Sequence, residues 1–361
     1  MTKWWNWILG IAIVCLMLLV IPLTYTGSKS KEELRPLFDE YVEKFNKSYK
    51  NNDTEYEMRF EHFVASVREI DALNAASRGP EECRAKYGLT HISDLSKEEF
   101  AEIHLSDEQP HRRWHENTEH HRSSEDDGPH NNIYIIIRRK RATMPLKVDW
   151  REKGLVGPVK DQGLCGACWA FSTIGAMETM AGIKSGTLKS LSVQEVIDCA
   201  GLGNVGCSGG DICLLLDWLL MTNTAVQTES EYPLKLANGV CAAKKNATGV
   251  RVAKFTCDDL VGAEAKILET IATHGPVAVA VNALTWQNYL GGIIQYHCSG
   301  APIDLNHAVE LVGYDLTGEV PYYIAKNSWG KGFGIDGYIN LAIGTNICGL
   351  ANEVASVDVI V

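Results

Sequence analysis

The chain has 361 residues, room for about two domains at the usual ~100–200 residues each, and 45% hydrophobic with 22% charged residues is the balance of an ordinary globular protein. A formal net charge of -11 excludes a basic face for nucleic acid or anionic lipid. The one basic cluster is Arg138-Arg139-Lys140-Arg141.

In chain order, residues 4–25 (WWNWILGIAIVCLMLLVIPLTY) follow Lys3 and read either as a cleaved signal peptide or as a signal anchor, with small residues near Gly27 as the boundary. Residues 1–27 thus deliver the chain into the secretory pathway, where the 11 cysteines become candidates for disulfides. Three sequons, at Asn46, Asn52 and Asn246, agree with that route. Residues 28–105 form the next unit: Leu37, Phe38, Tyr41, Phe45, Phe60, Phe63, Val64, Val67, Ile70 and Leu73 recur at helical spacing and predict two helices broken near Lys50 to Asp53. From Ser106 the composition turns to His, Glu, Asp, Ser and Arg, which cannot bury enough surface to fold. Residues 106–141 are therefore a linker, and its tetrabasic end suits cutting by a basic-specific proprotein convertase. Beyond residue 142 helices are expected at 168–184, 192–199, 210–222 and 261–273, and strands at 276–282, 307–315, 321–326 and 337–343. Helices first and strands later indicate an α+β fold for residues 142–361.

The chemistry centres on "DQGLCGACWAFSTIG", where Cys165 and Cys168 stand three apart. Such a pair serves as a redox couple, as half of a zinc site, or as a nucleophile beside a structural cysteine. Zinc needs about four closely spaced ligands, and no second C-x-x-C or H-x-x-x-H exists. A thioredoxin-type couple follows the first strand of a small βαβ domain, and the order of elements here differs. A nucleophilic thiol needs a base. Of the histidines past residue 142, His274 precedes Gly275-Pro276 and His297 abuts Cys298, both turn-like, whereas His307 opens an apolar run and lies 139 residues beyond Cys168. Asn327 begins a turn after the next strand, where it can orient an imidazole.

With "LKVDWREKGLVGPVKDQGLCGACWAFS", "LSVQEVIDC", "GCSGG", "NHAVELVGY" and "NSWG", residues 33–361 resemble the papain-like cysteine proteases. The resemblance implies a two-lobed fold, a helical left lobe and a β-barrel-like right lobe, preceded by a helical inhibitory prodomain. It implies Cys168 as nucleophile, His307 as base and then acid, Asn327 as orienter and Gln162 as oxyanion donor, with no cofactor and no metal. A thiolate is expected at the helix start, paired with a His307 imidazolium. Trp329 would shield the His and Asn contact. Gly209 and Gly210 would bind substrate, and the subsite that receives the residue before the cleaved bond's own, S2, would draw on Ile212, Ala280, Leu305 and Ala308, with Glu353 at its floor. The family's disulfides map to Cys165 with Cys207, Cys199 with Cys241, and Cys298 with Cys348; Cys213 and Cys257 are left as free thiols or an extra bridge.

The prosegment motifs map less fully. Glu55, Arg59, Phe63, Ile70 and Asn74 fit, but Ser66 replaces an Asn. In Gly88-Leu89-Thr90-His91-Ile92-Ser93-Asp94 only Gly88 and Asp94 match, which puts the strength of inhibition in doubt. About twenty residues between Gly210 and Tyr232-Pro233 leave no room for a cleft-blocking loop, so an endopeptidase is expected. The rival reading, an inactive homologue acting as a binding protein, predicts loss of Cys168 or His307, and both are present. Expected partners are peptide and protein substrates, the chain's own propeptide and cystatin-type inhibitors, with membrane contact only through an uncleaved residue 4–25 segment. The chain is expected to be a monomer, in the lysosome or secreted.

Overall fold

The structure, a computed structural model, describes residues 29–105, 144–244 and 247–361. The leading apolar stretch, the linker with its tetrabasic run, and Asn246 lie outside the described residues. Among the described residues no helix is long and apolar enough to cross a membrane.

The chain divides after Val64. In the first part, α1 (Lys31–Lys44) starts from a capping box in which Ser30 and Glu33 satisfy each other's backbone N–H groups. A 3₁₀ turn at Ser48–Asn51 makes the expected break, and α2 begins at Asp53 and runs to Ala76. Phe38 packs its ring 5.4 Å from Phe60 and 5.1 Å from Phe63. The Arg35 guanidinium lies 3.8 Å over Phe60 and grips Glu57 with two bonds of 2.6 and 2.9 Å.

The second part holds the rest of α2, then β1 (Lys86–Tyr87), α3 (Lys97–His104), β2 (Lys147–Asp149), α4 (Cys168–Ser185), α5 (Val193–Cys199) and α6 (Ile212–Thr222). Next come β3 (Arg251–Asp258), α7 (Glu264–Thr273), β4 (Val277–Val281), β5 (Tyr289–Gly291), β6 (Ile293–Ile294), β7 (His307–Asp315), β8 (Tyr322–Lys326), β9 (Tyr338–Ala342) and β10 (Val354–Ile360). The main sheet runs β3-β10-β4-β7-β8-β9-β6, with β2 also on β7. All its pairs are antiparallel except β6 with β9.

Two cores share this sheet. Val277, Val279, Val309 and Leu311 face a strand-side core with Tyr323 and Leu341. Their neighbours Ala278 and Ala308 face a helical core with Trp169, Met177 and Leu216. The period of two puts large residues on one face of β4 and β7 and small ones on the other, and the small face lets α4 approach. α4 is buried at every position from Cys168 to Gly182, as a helix apolar on all sides must be. It ends at left-handed Gly186.

Four disulfides join described cysteines: Cys165–Cys207, Cys199–Cys241, Cys298–Cys348, and Cys213–Cys257, which ties α6 to β3. The last resolves the two cysteines left open by the sequence as an extra bridge. It closes a separation of 44 residues, so replacing both cysteines with alanine is expected to lower stability by about 3 kcal/mol. A lower free energy of unfolding from urea titration, with the slope fitted separately for each protein, would register it; an unchanged free energy would show that the bridge does not stabilise the fold.

Candidate active site

The site begins where a loop pinned by Cys165–Cys207 turns into α4. Gly166 N–H donates to the Cys207 carbonyl at 2.9 Å, and Cys168 follows as the first helical residue. Gly209 and Gly210 form the facing wall. A Cβ on Gly210 would sit 2.5 Å from the Trp169 ring, so only glycine lets the two segments close. The Cys168 thiol is buried, and the backbone of Ala308 reaches it.

His307 is the first residue of β7 and Asn327 the first after β8, neighbouring strands whose register pairs Glu310 with Lys326. Register thus delivers His307 Nε2 to Asn327 Oδ1 at 2.8 Å. The Trp329 ring, fully buried, lies 4.7 Å from the imidazole at a 31° tilt. Trp286 meets it edge-on at 6.0 Å and 89°. The sequence reading missed Trp286; its only signal was an aromatic in a polar turn. Phe333 packs at 4.8 Å against Trp329.

The expected thiolate and imidazolium are not what the closed chain holds. Burial pushes the Cys168 thiol up to about 11, against weaker help from backbone N–H groups. Burial also pushes His307 down to about 4, against the hydrogen bond it makes to Asn327 Oδ1. Desolvation outweighs the helix terminus, so both groups are neutral in the closed chain.

What covers them is the leading segment. Gln162 Nε2 donates to the Cys165 carbonyl at 3.0 Å and to the His104 carbonyl at 3.3 Å, while its Oε1 accepts from Ser328 at 2.6 Å. The amide that the resemblance assigns to an oxyanion is thus engaged by the end of α3. The His104 ring lies 5.7 Å from Trp329 and Phe100 lies 5.4 Å from it. Further along, β1 pairs with β5, and Asn74 ties both backbone groups of Tyr87 at 2.9 and 3.0 Å. The motif departures are themselves used. Thr90 donates to the Gln287 carbonyl at 2.8 Å and Ser93 to Asn288 at 2.6 Å, while Gln287 Nε2 donates to the carbonyls of Ile92 and Leu95 at 2.9 and 3.0 Å.

Ala280 and Ala308 are register partners on β4 and β7, and Ala280 N–H donates to the Glu353 carbonyl at 3.2 Å. Ile212 and Leu305 are buried, at the start of α6 and just ahead of β7. Acceptor atoms of Asp211, Cys213 and Glu353, all buried, lie within 4.8 Å of one another. The sulfur is committed to its disulfide, so the cluster offers two carboxylates rather than a thiolate-bearing metal site. Asp211, which also caps α6 through Cys213 N–H and Leu214 N–H, was missed by the sequence reading. Asn46 and Asn52 are exposed, as glycan acceptors must be.

A thiol at a helix start, an imidazole held by a carboxamide, and a leading segment over both define a cysteine protease with its prosegment in place. The chain belongs to the papain family: the family described as "Papain family cysteine protease" matches residues 144–357, and "Cathepsin propeptide inhibitor domain (I29)" matches residues 38–100. Among individual proteins it is similar to cathepsin O of Homo sapiens, 39% identical over 280 residues, covering 77% of this chain and 81% of that one. Cathepsin O of Mus musculus is 43% identical over 218 residues, 60% of this chain and 69% of that protein. Among solved structures, the recombinant stem bromelain precursor superposes with a TM-score of 0.72 at 28% identity, covering 90% of this chain and 98% of that one.

His104 makes prosegment docking sensitive to acid. Burial, with His91 and His307 nearby, pushes it down to about 3, whereas a released histidine titrates near ~6.5. The released segment therefore binds a proton that the docked one refuses. Docking is at full strength above about 6.5 and weakens by up to about tenfold per pH unit below it. Hydrogen exchange across residues 86–104 in a Cys168→Ala full chain, expressed relative to the intrinsic amide rate at each pH, is expected to rise as pH falls from about 7 to 5. His104→Leu is expected to flatten that rise; an equally steep rise in the variant would remove the role of His104.

Proposed function

We propose that the chain is a cysteine endopeptidase made as a zymogen, with Cys168 as nucleophile, His307 as base and acid, Asn327 as orienter, and Gln162 with the Cys168 N–H as oxyanion donors. The observation that carries it is the Nε2 contact to Asn327 at 2.8 Å beside a thiol that opens α4. With Nε2 engaged, the proton of the thiol passes to Nδ1 of His307. The thiolate sulfur bonds to the peptide carbonyl carbon, and the oxygen takes the negative charge against Gln162 Nε2–H and Cys168 N–H. Collapse breaks the C–N bond, and imidazolium returns its proton to the leaving amine. A water then loses a proton to His307, attacks the thioester, and frees the acid and the thiol.

Between Gly210 and Tyr232 the chain forms α6 and a turn and places no loop that would obstruct a long peptide, which supports endo- over exopeptidase action. Activation calls for withdrawal of the His104 carbonyl from Gln162 and a cut in residues 106–141, outside the described residues. Entry through the secretory pathway, to the lysosome or exterior, accords with the disulfides.

S2 is proposed to be an apolar tube of Ile212, Ala280, Leu305 and Ala308 with Glu353 at its end. Such a pocket takes Leu or Phe through its walls and Arg through the carboxylate, with the Arg stem along the apolar lining. Nearby Asp211 adds negative potential.

Cys168→Ala is expected to reduce peptide hydrolysis to background with an unchanged melting temperature, because no other group can form the thioester. Substantial residual turnover would refute the assignment. For S2, kcat/KM on paired Leu and Arg substrates is expected to show both accepted by the wild type, and Arg selectively lost, by about tenfold or more, in Glu353→Ala. Refusal of Arg by the wild type, or its undiminished use by the variant, would make Glu353 a bystander.

A further inference from the structure

Behind the candidate site, α4, β7 and β8 line much of a partly open cavity of about 20 Å³, with Ser172, Gly175, Glu310, Lys326 and Asn327 in its wall. Glu310 is 1% exposed, and its Oε1 accepts from Thr179 at 2.9 Å. Its Oε2 accepts no well-directed hydrogen bond from a described residue, the Lys326 ammonium standing 3.4 Å away. Asn327 Nδ2, on a residue 3% exposed, likewise donates to no described residue. A Cβ on Gly175 would meet Oε2 at 2.5 Å, so the glycine notch in α4 is what admits the carboxylate. A cavity of this volume holds one water where polar partners converge. Here they are one donor, one acceptor and an ammonium.

We propose that the cavity is a binding site for a single buried water that accepts from Asn327 Nδ2 and donates to Glu310 Oε2, which makes Glu310 a positioning residue for the His307 ring. The inference rests on the proposed roles of His307 and Asn327. A carboxamide can present either end to the imidazole. With Oδ1 toward His307, Nε2 carries the ring proton and Nδ1 is free to take the thiol's. Turned by half a revolution, Nδ2–H would face Nε2, the ring proton would move to Nδ1, and the base would be blocked. An acceptor behind Nδ2 selects the productive orientation, and the water relays the Glu310 carboxylate to that position. Burial pushes the Glu310 carboxyl up, with Lys326 and Thr179 acting in the opposite direction. Nothing in the sequence marks Glu310 except a lone acid in the apolar run AVELV.

Two measurements on the processed enzyme test this. A high-resolution crystal structure is expected to show water density within hydrogen-bond reach of both Glu310 Oε2 and Asn327 Nδ2; no density there, or another protein group on Nδ2, would overturn the proposal. Glu310→Leu with Lys326→Met removes the acceptor without stranding the ammonium. It is expected to lower kcat about tenfold with KM unchanged, and ¹⁵N spectra of neutral His307 are expected to lose their preference for the Nε2–H tautomer. Glu310→Gln with Lys326→Met retains an acceptor oxygen and is expected to restore both. Unchanged kcat in the leucine variant, or a fall in kcat with an unchanged tautomer, would reduce Glu310 to a packing role. If the leucine variant does not fold, the crystal structure and the glutamine variant decide. Hydrolysis surviving in Cys168→Ala would remove the catalytic reading instead and leave the water site standing.

Discussion

Everything in the second part of the chain depends on how closely α4 can lie against β7. The helix brings Cys168 in its first turn and the strand brings His307 as its first residue, so any gap between them separates the thiol from the imidazole. Closeness is obtained with small side chains: Ala278 and Ala308 on the sheet face that looks at the helix, and Gly175 on the helix. Glu178 on the helix and Glu310 on the strand are buried there, each beside a partly buried lysine, Lys160 and Lys326. Thr179 of α4 donates to Glu310 of β7 at 2.9 Å, so a slip of helix on strand would take that donor from a buried carboxylate.

That registration also explains why one set of residues serves two states. In the closed chain burial pushes the Cys168 thiol up and the His307 imidazole down, which favours the neutral form of each. Once the cover is withdrawn, water and the helix terminus act in the opposite direction and favour the ion pair. The prosegment therefore works through solvation as well as through obstruction. Its hold is largely backbone and amide chemistry: a strand pair at Tyr87, Gln287 bridging two carbonyls, and Gln162 turned toward the His104 carbonyl. Thr90 departs from the family pattern yet donates across the interface, as Ser93 does close by, since a hydroxyl can do there what an amide does elsewhere.

The elements were legible from periodicity and punctuation. α4, β7, β8 and β9 fall within a residue or so of the runs that predict them, because long buried runs and glycine stops leave few alternatives. The proposed chemistry was legible because Cys168, His307 and Asn327 each sit at the start or end of an element. The supporting residues were not. Trp286, Asp211 and Glu310 carry no local signature: an aromatic in a turn, an acid at a helix cap and an acid in a strand are each common.

Sequence by itself thus determined the order of elements, the family and the residues proposed for catalysis, since those follow from local pattern and motif. Tertiary structure decided the rest: that Cys213 bridges Cys257, that Asp211 stands beside Glu353, that the His104 carbonyl meets Gln162, and that Glu310 and Asn327 line one cavity. These are meetings of residues far apart in the chain. Burial there sets protonation and hydrogen bonding, and burial is a property of the packed fold, not of any stretch of sequence.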